Sequence, residues 1–137
     1  WIRFNGRSML FSASIPPTSL AAAATALDIL IAEPWRVQKL HENAQYWQRG
    51  LQSLGFTVGT AQTPIITVHI GDDFKCMQFC KALLEAGVYV NAAVYPAVPR
   101  NKAALRTSVM ATHTQEHLDK ALAIFAEVGQ QFLAGAE

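Results

Sequence analysis

Cysteine, charge and long apolar segments are all scarce in this 137-residue chain. The two cysteines, Cys76 and Cys80, are four residues apart, which is neither the C-x-x-C spacing of redox and zinc motifs nor enough for a disulfide framework. We therefore expect two free, buried thiols and a cytoplasmic location. Lysine and arginine together number 11 against 10 acidic residues, without a basic run, so the charge pattern gives no support to nucleic-acid binding.

The longest apolar stretch is too short to cross a membrane. It covers residues 20–32, which is 13 residues, and it contains Asp28, whereas a membrane-spanning helix needs about 20 apolar residues. The first residues contain neither a basic region nor a signal-peptide cleavage site. Because the chain begins with Trp1 and not with methionine, we expect it to be a cut piece or a processed form.

Short motifs of common catalytic sites are also missing from the sequence. The eight glycines are scattered and form no phosphate-binding loop, and the serines near the start have no G-x-S-x-G context. His113 and His117 have the four-residue spacing of a helical metal pair. No Glu follows His113 and no third ligand is evident, so we predict no metal site.

The chain does contain enough apolar residues, 51% of the total, for one packed domain. One helix is predicted from a cap at Thr18 or Ser19 to about Ala32, and it is so apolar that most of its surface should be covered. A second helix is predicted from Pro34 to Gly55. Its apolar stripe has α-helical spacing: Leu40, Ala44, Trp47, Leu51 and Leu54. We expect the two helices to form one long, bent rod.

The rest of the chain alternates strands and helices. A loop of about nine residues between the last two strands favours an antiparallel pair, and helices would then cover one face of a small sheet. The predicted fold class is therefore α+β, with a mainly antiparallel three-stranded sheet. The predicted strands are residues 63–70, 88–94 and 103–110. One predicted helix covers residues 74–86 and is capped by Asp72 or Asp73. The last helix is capped by Thr112 or Thr114, and its apolar stripe is Leu118, Ala121, Leu122, Phe125, Val128 and Phe132.

Residues 90–114 carry the most specific signal. Pro96 and Pro99 restrict the backbone of a loop, and Arg106 lies in an otherwise apolar predicted strand. A cation in that position must reach solvent or find an anion, because an unpaired buried charge is very costly. A stiff loop beside a single arginine can hold a carboxylate, or it can be a structural corner, and the residues alone leave both open.

Five segments, read together and in this order, resemble the C-terminal part of the α-oxoamine synthases: FSASIPP (11–17), TPII (63–66), YPAVP (95–99), LRTSVMATHT (105–114) and HLD (117–119). This group of pyridoxal-phosphate (PLP) enzymes of aminotransferase fold type I includes 8-amino-7-oxononanoate synthase, glycine C-acetyltransferase and serine palmitoyltransferase. The resemblance implies an enzyme that condenses an amino acid with an acyl-CoA, usually with loss of CO₂. It also implies a homodimer in the full-length protein.

The resemblance implies a division into residues 1–17, a remaining strand of the large PLP domain, residues 18–55, the connecting helices, and residues 56–137, the small C-terminal domain. The family's Schiff-base lysine lies in a serine-lysine, glycine-rich motif upstream of FSASIPP. No such motif surrounds the lysines of this chain, which are Lys39, Lys75, Lys81, Lys102 and Lys120. The chain alone is therefore expected to be inactive and to bind no PLP covalently.

The resemblance further implies roles for four residues, none of them catalytic. Ser12, and secondly Ser14, would reach the cofactor phosphate of the neighbouring subunit. Arg106 would help bind the carboxylate of the amino acid, for which the bidentate geometry of arginine is suited, and Tyr95 would shape the acyl-CoA entrance. Many members carry a further arginine just before the loop prolines, where this chain has Val94, and this departure puts the family's carboxylate site in doubt.

Two other functions remain open at this point. The chain can be a free-standing regulatory module that binds a small amino acid through the same loop and Arg106. It can also be a structural interaction domain that dimerises without a ligand.

Overall fold

The computed structural model describes residues 1–6, 15–60 and 62–133, with Leu133 described by its backbone alone. It divides into two compact units, Trp1–Pro34 and Trp35–Glu137. The described helices include none that is long and apolar enough to cross a bilayer.

The first unit contains a short helix, α1 (Ile2–Asn5), and a longer one, α2 (Pro17–Ala32). The predicted cap at Thr18 or Ser19 is wrong, because the Pro16 carbonyl accepts the first helical bond, from the Leu20 N–H, and no side chain caps the helix. Proline suits a first helical position, since its fixed φ matches the helix and it has no N–H to satisfy. No residue of α2 is buried, although the helix is largely apolar.

Helix α3 (Trp35–Ser53) opens the second unit and confirms the predicted apolar stripe. Its buried residues include Ala44, Trp47 and Leu51, while Leu40 and Leu54 are half-buried. Gly55 follows the helix with a φ of 88°, a left-handed conformation that favours glycine, as predicted for this position. Glu33 has a φ of −128° and is not helical, so α2 and α3 are separate helices.

The second unit contains the predicted three-stranded antiparallel sheet. Its strands are β1 (Ile65–Gly71), β2 (Asn91–Ala93) and β3 (Ala103–Ser108), and β3 lies between the other two. Residues 94–102 connect β2 to β3, which is the nine-residue loop expected for an antiparallel pair.

The second strand is shorter than the predicted residues 88–94 because both ends bond elsewhere. The Val88 N–H donates to the Leu83 carbonyl at 2.8 Å, which ties this residue to the helix before it. At the other end the Val94 carbonyl accepts from the N–H groups of Ala97 and Val98, and the chain turns there. Three residues are left to pair with β3.

Two further helices complete the fold, α4 (Asp73–Glu85) and α5 (Gln115–Leu133). The Asp72 carboxylate caps α4 by accepting from the Lys75 N–H at 2.7 Å. Thr114 caps α5, since its hydroxyl oxygen accepts from the His117 N–H at 3.2 Å. Of the alternatives that the sequence left open, the structure therefore selects Asp72 and Thr114.

The core lies between one face of the sheet and helices α3, α4 and α5. Phe79 and Phe125 are completely buried, with ring centroids 5.7 Å apart, and Trp47 meets Phe125 edge to face at 5.3 Å. Along β3, Leu105 and Thr107 are buried on this side, whereas Arg106 is exposed on the other. The helices thus cover one face of the sheet, as predicted.

A buried chain of hydrogen bonds crosses this core. The indole N–H of Trp47 donates to the Thr107 hydroxyl oxygen at 2.9 Å, and that hydroxyl donates to the Ile66 carbonyl at 2.8 Å. Trp47 and Thr107 are both at most 4% exposed. An unpaired polar group at this depth would cost free energy, so the Thr107 hydroxyl joins α3, β3 and β1.

Replacing the Thr107 hydroxyl tests that link. We expect Thr107→Val to lower the free energy of unfolding by about 1–3 kcal/mol, because the indole N–H of Trp47 is left without an acceptor. Thr67→Val makes the same change on the opposite face of the sheet and should alter it by about 0.5 kcal/mol or less. Urea unfolding measures both, and equal effects of the two substitutions would contradict this account.

The Cys76 thiol makes stability depend on alkaline pH. Burial, and secondarily the neighbouring Cys80 thiol, raises the pKa of Cys76 from 9.0 to about 11. In the unfolded chain the thiol ionises first, so its contribution is complete below pH 9 and is lost as the pH rises towards 11. The loss should approach about 2–3 kcal/mol, from roughly 1.4 kcal/mol per pKa unit.

Urea unfolding at a series of pH values between 9 and 11 measures this dependence. Cys76→Ala should flatten the decline in this range, while Cys80→Ala should keep most of it. Tyr46 also has a raised pKa, because its hydroxyl is hydrogen-bonded to the Asp119 carboxylate. The comparison of the variants separates the contribution of Cys76 from that of Tyr46. If the unfolding free energy of Cys76→Ala declined with pH as steeply as that of the unaltered chain, the assignment to Cys76 would be refuted.

Candidate functional site

Arg106 lies at the centre of the open face of the sheet. It is in the middle strand, opposite Thr67 of β1 and Asn91 of β2, and its side chain is exposed. Both neighbours are neutral, and no carboxylate of the described residues pairs with the guanidinium. Of the two solutions that the sequence allows for this cation, the structure has the first, exposure to solvent.

The position of Arg106 follows from the alternation of side chains along β3. Ala103, Leu105 and Thr107 point to the helix-covered face, so Ala104 and Arg106 point to the other face, where Ala104 is buried and Arg106 is exposed. Pairing on both sides fixes the backbone of the strand. An anion on this face would therefore meet an arginine on a fixed strand, with hydrogen-bond donors that no described residue uses.

Tyr95 lies at the start of the loop between β2 and β3. Its side chain is 49% exposed, and the Arg100 guanidinium stacks over its ring at 4.3 Å from the centroid. The Tyr95 N–H donates to the Asp73 carboxylate at 3.4 Å, and the peptide bond to Pro96 is cis. The exposed ring is thus held by a cation above it and by a contact of its own backbone with α4.

The structure does not bring Tyr95 and Arg106 into contact. Asn91 pairs with Arg106, and Tyr95 follows Asn91 by four residues along the same segment. Because β2 ends at Ala93 and the chain turns at Val94, Tyr95 lies in the loop beyond the strand pair that contains Arg106.

Several predictions for this site fall on residues that the structure does not describe. Ser12 and Ser14, predicted to reach a cofactor phosphate, lie outside the described residues. Both remain predictions.

His113 and His117 each accept a backbone hydrogen bond through Nδ1, from Met110 and Thr114 at 3.2 and 3.3 Å respectively. The ring centroids are 6.4 Å apart. Within the described part of the chain, no group of three or more His, Cys, Asp or Glu residues is placed to hold a metal ion.

Sequence reasoning missed two residues that position Tyr95. Asp73 was considered only as a possible helix cap, and Arg100 was not singled out. The signal for Arg100 was its place directly after Pro99, within the loop already identified. The contact of Asp73 with Tyr95 joins residues 22 apart in sequence, and no local pattern indicates it.

The five lysines of the chain are spread over the second unit. Lys39, Lys75, Lys81 and Lys120 lie on α3, α4 and α5, the helices that cover the face of the sheet opposite to Arg106. Lys102 lies in the loop before β3 and is exposed.

Comparison with known proteins identifies the family. The family model for aminotransferase class I and II matches residues 1–125. The curated 8-amino-7-oxononanoate synthase of Thermoanaerobacter pseudethanolicus is 45% identical over 131 residues, which cover 96% of this chain and 33% of that enzyme. The chain thus spans about a third of the length of the curated relatives it matches.

Solved structures agree with this result. The serine palmitoyltransferase of Sphingomonas wittichii matches with a TM-score of 0.88 and 34% identity, over 96% of this chain and 33% of that one. A further serine palmitoyltransferase, described with PLP, matches with a TM-score of 0.89 and 32% identity, over 96% of this chain and 34% of that one. The predicted resemblance, the α+β fold class and PLP as the cofactor of the family are confirmed. The chain belongs to the aminotransferase class I and II family and, within it, is related to the PLP-dependent α-oxoamine synthases.

Proposed function

We propose that this chain is the substrate-carboxylate-binding part of a PLP-dependent acyl-CoA:amino acid C-acyltransferase, which forms an α-oxoamine by decarboxylative condensation. The observation that carries the proposal is Arg106, an exposed guanidinium on the central strand with no acidic partner among the described residues. It lies in a chain that matches an 8-amino-7-oxononanoate synthase over 96% of its length.

The chemistry of Arg106 suits the carboxylate of an amino acid. A guanidinium offers parallel N–H donors that match the two oxygens of a carboxylate, and such charge-assisted pairs are stronger than neutral hydrogen bonds. Since Thr67 and Asn91 carry no charge, the positive charge is available to a ligand. With Val94 at the position where many members have another arginine, Arg106 takes the carboxylate-binding role in this proposal.

Tyr95 is assigned to the entrance for the acyl-CoA. Its ring is half exposed at the start of the loop, and its position is supported by Arg100 and Asp73. Tyr95 lies in the loop after β2 and Arg106 on the central strand, so in this proposal the acyl group and the amino acid are held by different residues. The chain length of the acyl group and the identity of the amino acid depend on residues outside this chain.

PLP supplies an electron sink for the carbanion of the amino acid when it is bound. No serine-lysine, glycine-rich motif surrounds the five lysines of this chain, so we assign the Schiff-base lysine to another part of the enzyme and expect this chain alone to be inactive. Ser12 and Ser14 keep their proposed contact with the cofactor phosphate of a neighbouring subunit. Residues 1–17, 18–55 and 56–137 are proposed as a strand of the large domain, the connecting helices and the small domain.

The exposed helix α2 supports a larger assembly. Leu20, Leu27 and Leu30 on this helix are each close to half exposed or more, and contiguous apolar surface of this kind is typical of a contact region. We assign its cover to the rest of a cytoplasmic, homodimeric enzyme.

A chimera tests the assigned role of Arg106. In it, this chain replaces the matching third of the Thermoanaerobacter pseudethanolicus enzyme. We expect the chimera to condense an amino acid with an acyl-CoA, and Arg106→Gln to lower kcat/KM for the amino acid by about 100-fold, the value of a lost charge-assisted pair. Arg49→Gln, an exposed arginine on α3, is the matched control and should leave kcat/KM unchanged. An active chimera that is indifferent to Arg106→Gln would contradict the proposal.

The isolated chain provides a second test. Incubation with PLP followed by borohydride should leave no PLP adduct at any one lysine, and calorimetry with glycine, serine and alanine should show no saturable binding. A specific adduct on one of the five lysines would refute the assignment of the Schiff base to another part of the enzyme. Saturable amino-acid binding that Arg106→Gln abolishes would favour the free-standing regulatory module instead.

A further inference from the structure

A cavity of about 490 Å³ opens in the second unit on the helix-covered side of the sheet. It lies between α3, α5, the segment after α4 and the end of β3. Its lining is mainly apolar and includes Trp47, Val88, Val90, Val109, Leu118 and Ala121. This volume is in the range of about 300–1,000 Å³ that small-molecule sites in proteins occupy.

The polar lining includes two histidines that offer hydrogen-bond donors, and Tyr89, whose hydroxyl donates to the Asn91 side chain. His113 and His117 both line the cavity, and Nδ1 of each ring is occupied as the acceptor of a backbone N–H. A neutral imidazole has one donor and one acceptor nitrogen, so the proton of each ring lies on Nε2. These two Nε2–H groups have no partner among the described residues.

The other polar residues of the lining do not change this balance. The Thr107 hydroxyl already accepts from Trp47 and donates to the Ile66 carbonyl. Ser108 also borders the cavity, but along β3 its side chain alternates to the face that carries Arg106. No lysine, arginine, aspartate or glutamate is part of the lining.

We propose that this cavity binds a small amphiphilic carboxylate, such as a medium-chain fatty acid. The acyl chain would occupy the apolar part, and the carboxylate oxygens would accept from the Nε2–H groups of His113 and His117. The two Nε2–H donors would disfavour a ligand cation, and an entirely apolar ligand would leave the Nε2–H of the half-buried His113 unpaired on burial.

This site is independent of the proposed function. Arg106 points to the open face of the sheet, whereas Thr107, the next residue of β3, lines the cavity on the covered face. Loss of carboxylate binding in the cavity would therefore leave the role of Arg106 untouched, and the reverse also holds.

Titration of the ¹⁵N-labelled chain with octanoate tests the proposal directly. The indole N–H signal of Trp47 should shift saturably, while those of Trp1 and Trp35, which are 89% and 55% exposed, serve as internal controls. Octanoate should bind at least tenfold more tightly than 1-octanol, and octylammonium should not bind. The absence of a saturable shift at Trp47, or equal binding of all three compounds, would overturn the proposal.

Two variants locate the binding. Ala121→Leu fills the apolar part of the cavity and should abolish the shift at Trp47. His117→Asn removes one ring donor and should weaken octanoate at least tenfold, with little effect on 1-octanol. His41→Asn, on the exposed surface of α3 and outside the cavity, should change nothing. Thermal unfolding shows whether each variant is folded. If Ala121→Leu does not fold, the affinity of His117→Asn for octanoate tests the site instead. Octanoate binding that is unchanged in His117→Asn would contradict the site.

Discussion

Strand β3 is paired on both sides and covered on one face, and most of the second unit depends on this arrangement. Its inward residues, Ala103, Leu105 and Thr107, pack against the helices, and Thr107 also joins α3 to β1 through its hydroxyl. With every second residue directed into the core, a shift of register by one residue would bury Arg106 and expose Leu105. The packing that stabilises the core is therefore also what holds the guanidinium on the open face.

The open face and the covered face have different chemistry. On the open face, Arg106 is a cation between two neutral polar neighbours, Thr67 and Asn91. On the covered face, the cavity near the start of α5 is mainly apolar, and His113 and His117 are among its few polar residues. The first surface suits a charged, polar substrate, and the second suits a ligand with an apolar chain. Strand β3 thus separates a surface that suits a charged ligand from a cavity that suits an apolar chain.

Much of this fold could be predicted from local patterns. The apolar stripe of α3, the glycine stop at Gly55 and the antiparallel return through a nine-residue loop all follow from spacing and turn chemistry. The short β2 could not be predicted from its composition, because its ends are fixed by bonds from Val88 and to Val94 that compete with strand pairing. The N-cap of α2 was missed because the helix begins at Pro17 with Pro16 as its N-cap, ahead of the hydroxyl residues that the sequence offered as caps.

The candidate site, like the fold, could be predicted from the sequence only in part. Arg106 was found because a single charge in an apolar strand is visible in the sequence. The support of Tyr95 by Asp73, and the donor nitrogens of His113 and His117, depend on contacts and tautomers that only the folded chain defines. The central claim is that Arg106 holds the carboxylate of the amino acid. A crystal structure of the chimera with its amino-acid substrate tests it most directly. The account predicts both carboxylate oxygens at about 2.7–3.2 Å from the Arg106 guanidinium nitrogens. A bound amino acid whose carboxylate contacts another cation, with Arg106 still exposed to solvent, would contradict it.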